Sequence, residues 1–164
     1  MIKSQVFYSF HYIPDNWRVA TVRSIGSIEG NKPAPDNDWE SIVGSGDRAI
    51  ESWIQNQMKY RSCTVVLVGE NTANRKWINY EIKESWKKGM GVVGIRIHGL
   101  KNSKGFIANK GDNPFDYLTF GNGAFSSIVK CYNPAGNNSQ ERYGWIAQHI
   151  GNAVAEAITI RKHY

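Results

Sequence analysis

The sequence predicts an α/β fold, a mostly parallel central sheet with helices on both faces. Three observations carry that prediction. Residues 63–69, CTVVLVG, form a continuous β-branched run closed by glycine, as expected of a strand buried on both faces. Residues 91–98, GVVGIRIH, repeat the pattern. Between them, residues 75–88 carry helical periodicity, and strand, helix, strand with short connections reads as a right-handed βαβ unit. The 164 residues, 41% hydrophobic and 21% charged, suit one ordinary domain spanning 1–164 with a packed core.

The remaining elements follow in chain order. Residues 5–10, QVFYSF, predict a short aromatic-rich strand, and HYIPDNW after it a polar and aromatic turn. A short helix is expected over 16–25, with Asp15 or Asn16 as cap and Trp17, Val19, Val22 and Ile25 as its apolar positions. Residues 26–47 contain PAP and several glycines, so they read as a long loop with a short strand at most. Such a loop is either functional or a surface insertion, and composition leaves both open.

From Arg48, the positions Ala49, Ile50, Trp53, Ile54, Gln57 and Met58 recur at helical spacing, with Asp47 available as cap. Residues 99–140 are rich in Gly, Asn and Ser. Within them NPFDYLTFGNG predicts an ordered loop anchored by aromatics, and residues 127–132 a final edge strand. A last helix, beginning near Gln140 or Glu141, places Trp145, Ile146, His149, Ile150, Val154 and Ile158 on one broad face.

Charge and motifs narrow the function classes. The net charge is +6, which attracts phosphates, yet the basic residues are scattered and no zinc-finger, basic-arm or RNP pattern is present. Nucleic acid is therefore a minor reading. The absence of GxGxxG disfavours a hydride-transferring dehydrogenase, and the absence of GxxxxGK[ST] disfavours phosphoryl transfer. Without HExxH or a Cys/His cluster, no catalytic metal is expected. Cys63 and Cys131 form no CxxC pair and point to a reducing compartment, with Cys63 expected to be buried rather than nucleophilic. MIKSQVFYSF has no signal-peptide pattern and no run is long enough to span a bilayer, so a cytoplasmic protein is expected.

In an open parallel sheet, ligands bind beyond the carboxyl ends of the strands. That rule gathers Ser9 to Tyr12, Gly69 to Thr72 with Asn71 among them, and His98. A helix starting after Thr72 would point free N–H groups at the same edge, where they favour an anion. On that helix Trp77, Glu81 and Ser85 share one face, while Ile78, Ile82 and Trp86 form the adjacent stripe. Glu81 is then either a partly shielded carboxylate held against a ligand or a surface group paired with Arg75, Lys83 or Lys88. Trp77 is either a wall of the crevice or simply core. His11 and His98 fall at strand ends, His149 on the last helix and His163 in a basic tail; Glu70, Asp36 and Asp38 are reserve carboxylates.

Four segments together resemble a known family. They are VFYSFHY with DNWR at 6–18, AIESWIQNQM at 49–58, TVVLVGENTANRKWINYEI at 64–82 and GVVGIRIHGL at 91–100. Their combination and order are similar to the Toll/interleukin-1 receptor (TIR)-like subunit of the bacterial Thoeris antiphage system. The resemblance implies a flavodoxin-like TIR fold and an enzyme that uses NAD as substrate, breaking the bond between nicotinamide and ribose. It implies that Glu81, in the W-x-x-x-E arrangement opened by Trp77, is the catalytic carboxylate. Phe10, His11, Tyr12, Asn71 and Trp77 are the expected substrate-binding residues. In the Thoeris branch the ADP-ribose part becomes a cyclic or modified nucleotide, which diffuses to an effector. Self-association and a phage-derived trigger are further implications.

The alternative class is a non-catalytic TIR or receiver-like interaction module, since fold alone does not guarantee catalysis. The discriminating residue is Glu81: an enzyme needs it facing a concave pocket, an adaptor can hold it in a salt bridge or an interface.

Overall fold

The computed structural model describes residues 4–30 and 42–164. Its central sheet contains β1 (Ser4–Ser9), β2 (Ile28–Gly30), β3 (Cys63–Val68), β4 (Gly91–Arg96) and the two-residue edge strand Cys131–Tyr132. Their order is β2–β1–β3–β4–edge, and every pairing is parallel. This is the flavodoxin-like doubly wound order, whose switch point lies between β1 and β3.

Among the described residues the sheet is covered by the helices α1 (Tyr12–Arg23), α2 (Asp47–Met58), α3 (Lys76–Lys87) and α4 (Ser139–Arg161). Strand parity decides which residues each helix meets. Val6 and Tyr8 of β1, Val65 and Leu67 of β3, and Val93 and Ile95 of β4 pack with Val19 and Val22 of α1 and Ile146, Ile150 and Val154 of α4. The alternate residues turn to the other face. There Val66 and Val68 meet Ile78 and Ile82 of α3, and Phe7 meets Ile50, Ile54 and Met58 of α2. Helices thus lie on both faces, and both sides of β3 are buried.

Several boundaries differ from the sequence prediction. The first helix starts at Tyr12 rather than at residue 16, with His11 as its cap residue instead of Asp15 or Asn16. Pro14 is accommodated because it falls in the first turn, where backbone N–H groups have no intrahelical partner. Asp15 is buried, and Trp17, expected on the packing face, is 55% exposed. Gly46 at φ 94°, not Asp47, caps α2, and Asp47 instead forms an ion pair with Lys76. Of the long loop over 26–47, Ile28–Gly30 is a strand beside β1, and residues 31–41 lie outside the described residues.

The aromatic loop is ordered, as expected. Pro114–Tyr117 form a short 3-10 helix, and Thr119–Phe120 pair antiparallel with Gly123–Ala124. The final edge strand is shorter than predicted. Phe125–Ser127 turn as a second 3-10 segment so that Phe125 can pack edge-on against Trp86 and Phe115. The last helix begins at Ser139. Asn138 Oδ1 accepts the Glu141 N–H at 2.9 Å, and Glu141 Oε1 accepts the Asn137 N–H at 2.9 Å, a reciprocal cap. Among the described residues no helix is long and apolar enough to cross a membrane.

Gly91 opens β4 directly under α4. A β-carbon there would lie 2.7 Å from the Ala157 carbonyl carbon and the Ile158 nitrogen. Gly91→Ala must push helix and strand apart, an overpacking expected to destabilise by about 1–3 kcal/mol. The expected result in denaturant unfolding is a lower midpoint at an unchanged slope.

Candidate active site

β1 ends at the switch point, and its side-chain alternation places Ser9 on the same face as Phe7, toward α2 and α3. Ser9 is fully buried, and its Oγ donates to Glu81 Oε1 at 2.8 Å. One helical turn further along α3, Ser85 Oγ donates back to the Glu81 carbonyl at 2.6 Å. That use of the Ser85 proton makes Thr64 of β3 the donor in the 2.5 Å contact between Thr64 Oγ1 and Ser85 Oγ. A run of hydroxyls from β1 and β3 therefore fixes the buried face of α3.

Beyond Ser9 the chain ends open into a cavity of about 480 Å³, a size that suits a small-molecule ligand. One wall is Phe10, His11, Tyr12 and Ile13, leaving β1 and entering α1. The Phe10 and Tyr12 rings stack at 6.0 Å. Trp53 and Ile54 of α2 form a second wall, and Asn74 to Ile78 with Glu81 a third. Trp77 leans edge-on against Tyr80 at 5.5 Å, and the Lys76 ammonium sits 4.9 Å from the Trp77 ring centre. The first turn of α3 borders the cavity, and its N-cap residue Arg75 makes no side-chain cap bond, so the N–H dipoles favour an anion at this end. Arg75 Nε donates to the Asn71 carbonyl at 2.7 Å, which steadies the guanidinium beside that turn.

Glu81 is 8% exposed. Burial pushes its carboxyl from 4.5 up to about 8, and the Ser9 hydrogen bond opposes that rise. Its Oε2 has no hydrogen-bond partner among the described residues, and the residue lines the cavity. His11 is held below its usual range, first by burial and then by Arg75, so its imidazole is neutral near pH 7.

A family model described as Thoeris protein ThsB, TIR-like domain, matches residues 7–102, which hold the end of β1, all of β3 and β4 and every cavity-lining residue. The chain belongs to this TIR-like ThsB family. A protein named "Putative cyclic ADP-D-ribose synthase ThsB1" from Bacillus cereus is 33% identical over 165 residues, covering 98% of this chain and 85% of that relative.

In this TIR-like chain the cavity brings together Phe10, His11, Tyr12, Trp77 and Glu81, five of the residues expected from the sequence. Asn71 is not among its lining residues and reaches it only through the bond to Arg75. The surface ion pairs offered for Glu81 are not formed: neither Arg75, Lys83 nor Lys88 bridges to it, and its side chain turns inward to Ser9. Trp77 packs beside the α2 core and also lines the cavity, so both readings of it hold. Glu70 is exposed and accepts the Asn109 N–H at 2.8 Å, away from the cavity; Asp36 and Asp38 lie outside the described residues. His98 does not line the cavity, and burial followed by Arg96 holds it below its usual range. His149 stacks on Trp145 at 4.2 Å on α4. Cys63 is fully buried, and burial raises its thiol to about 12, which leaves it unreactive. Among the described residues no cluster of His, Cys, Asp and Glu could hold a metal ion.

Sequence reasoning missed Trp53, Ile54, Asn74 and Lys76 as lining residues. Trp53 and Ile54 carried the helical period of α2 and read as core. The signal for Asn74 was its place just before a helix, where it adopts φ 60°.

The burial of Glu81 has a measurable consequence for stability. The folded chain keeps its proton up to about pH 8, whereas the unfolded chain releases it near 4.5. The group's contribution is full below 4.5 and is lost as pH rises through 8. Glu81→Gln keeps the shape without the charge. Its melting temperature should match that of the parent in acid and exceed it progressively up to pH 8. An advantage that does not change with pH would mean that no buried carboxyl titrates there.

Proposed function

We propose that this chain cleaves NAD at the nicotinamide–ribose bond and converts the ADP-ribose part into a cyclic or modified signal nucleotide. The observation that carries the reading is Glu81, a buried carboxyl that lines the cavity and is held there by the Ser9 hydroxyl. Membership of the TIR-like ThsB family and the name of the Bacillus cereus relative support the same chemistry.

The residues suit the substrate. Nicotinamide in NAD carries a positive charge on its glycosidic nitrogen, and that charge beside Glu81 favours the carboxylate, so binding expels the Glu81 proton. The aromatic pair Phe10–Tyr12 and Trp77 offer faces for the flat ring and exclude water. Arg75 and the first turn of α3 suit the diphosphate.

As the glycosidic bond breaks, its electron pair leaves with nicotinamide, which becomes neutral and needs no general acid. Positive charge develops on the ribose, and the Glu81 carboxylate stabilises it in a low-dielectric site. An oxygen or nitrogen of the same nucleotide then attacks the anomeric carbon and loses a proton. Glu81 can take that proton, because its buried carboxyl holds one up to about pH 8. Cyclisation wins over hydrolysis when that internal nucleophile is better placed than water. The diffusible product acts on a downstream effector, and a phage-derived trigger or self-association sets when it is made.

Product analysis with NAD tests this directly. The parent should release nicotinamide with a nucleotide of cyclic-ADP-ribose mass, and Glu81→Gln should reduce the rate by about a hundredfold or more. Equal release from both proteins would remove Glu81 from the mechanism. No product from either, in vitro and in phage-challenged cells, would favour the interaction-module reading.

The pH profile is a second test. kcat/KM reports the free enzyme and should rise with pH to a midpoint near 8. The midpoint for kcat should lie lower, since bound NAD favours the ionised carboxyl.

A further inference from the structure

We propose that Ser9 is a positioning residue for Glu81, holding its carboxylate in the geometry and charge state the reaction uses. The inference rests on the proposed reading of Glu81 and extends it to a residue that does not line the cavity.

The geometry is specific. Ser9 is the last residue of β1, opposite Val66 of β3, so its backbone is fixed by sheet pairing. Its side chain is fully buried and its Oγ lies 2.8 Å from Glu81 Oε1. A hydroxyl fixed on that side occupies one carboxylate oxygen of a residue that lines the cavity. A hydrogen bond to an ionised oxygen is stronger than one to a neutral oxygen, so the same contact favours the charged form.

Among the described residues no other side chain bonds to the Glu81 carboxyl. The titratable and charged groups sharing the cavity are Tyr8, His11 and Tyr12 from β1 and α1, with Arg75 and Lys76 at the start of α3. α2 contributes Trp53 and Ile54, β3 contributes Thr64 on this face, and none of these carries charge. Among the described residues none of the charged groups forms an ion pair with Glu81, and burial and the Ser9 bond act on its carboxyl in opposite directions. His11 is held below its ordinary 6.5 and Tyr8 is raised to about 12, so neither changes charge while Glu81 titrates.

The test compares Ser9→Ala with Ser9→Thr, which keeps the hydroxyl, and with the parent. The Glu81 titration is followed by carbon-13 NMR of the side-chain carboxyl, assigned by its loss in Glu81→Gln, and kcat/KM for NAD is measured across pH. Ser9→Ala should move the Glu81 midpoint upward by about one unit, lower kcat/KM about tenfold at pH 7 and restore it as pH passes the new midpoint. Ser9→Thr should stay near the parent. If Ser9→Ala does not fold, Ser9→Cys supplies a weak donor of similar size and should show the same upward shift.

An unmoved Glu81 midpoint in the folded variant would overturn the proposal. So would a loss of kcat/KM by one factor at every pH, which would mark Ser9 as structural only. The NMR titration does not depend on turnover. An active Glu81→Gln protein would therefore defeat the catalytic reading of Glu81 separately from the Ser9–Glu81 coupling.

Discussion

A carboxyl group buried against a strand end is the constraint around which the site is arranged. Glu81 lies on the inward face of α3, where its neighbours Ile78 and Ile82 are apolar core. Burial leaves it little access to water there, and among the described residues its side chain's polar contact is the Ser9 hydroxyl. An unpaired ionised group in such a place is strongly disfavoured, so the carboxyl keeps its proton until something cationic arrives. Its readiness to change charge follows from its burial, and its burial follows from the packing of α3 on the sheet.

That packing is set by alternation along the strands. β1 sends Phe7 and Ser9 to the α2–α3 side, and β3 sends Thr64, Val66 and Val68 to the same side. The hydroxyls of Ser9 and Thr64 reach α3 at Glu81 and Ser85, one turn apart, while valines fill the space between. α1 is tied to the loop after β4 by buried Arg18, whose guanidinium pairs with Asp15 of the same helix and donates to the Leu100 and Phe106 carbonyls. Residues 10–13 are thereby anchored at both ends, by β1 behind and by that clasp ahead. The aromatic wall of the cavity rests on rigid elements, as a site needing precise placement requires.

Much of this arrangement was legible in the sequence. The β-branched runs at 63–69 and 91–98 revealed the buried strands because a strand covered on both faces has no reason to alternate. Trp77 and Glu81 could be placed on one helix face by spacing alone. The partner of Glu81 could not, because Ser9 lies 72 residues earlier and is brought to it by sheet order rather than by any local period. The starts of α1 and α2 were missed for a related reason. HYIPDNW was read as a turn with Asp15 or Asn16 as cap, and Asp47 as the cap of the next helix, whereas α1 starts at Tyr12 behind His11 and α2 at Asp47 behind Gly46. Local rules yield when the core gains more from continuing the element.

The division of labour between strand and helix also explains why one buried carboxyl suffices for the proposed reaction. The leaving group already carries the charge that a general acid would otherwise have to supply, so the protein need only meet the cation that remains. A carboxylate exposed to water would be screened and would already be ionised, giving little difference between ground and transition state. A carboxyl kept neutral by burial and ionised by the substrate itself concentrates its stabilisation where the ribose charge grows. The cationic end of the cavity, at Arg75 and the first turn of α3, lies on the same helix one turn and more before Glu81. In the proposed reaction the helix would meet the anionic phosphates at its start and the cationic ribose further along, which would give NAD one productive direction of entry.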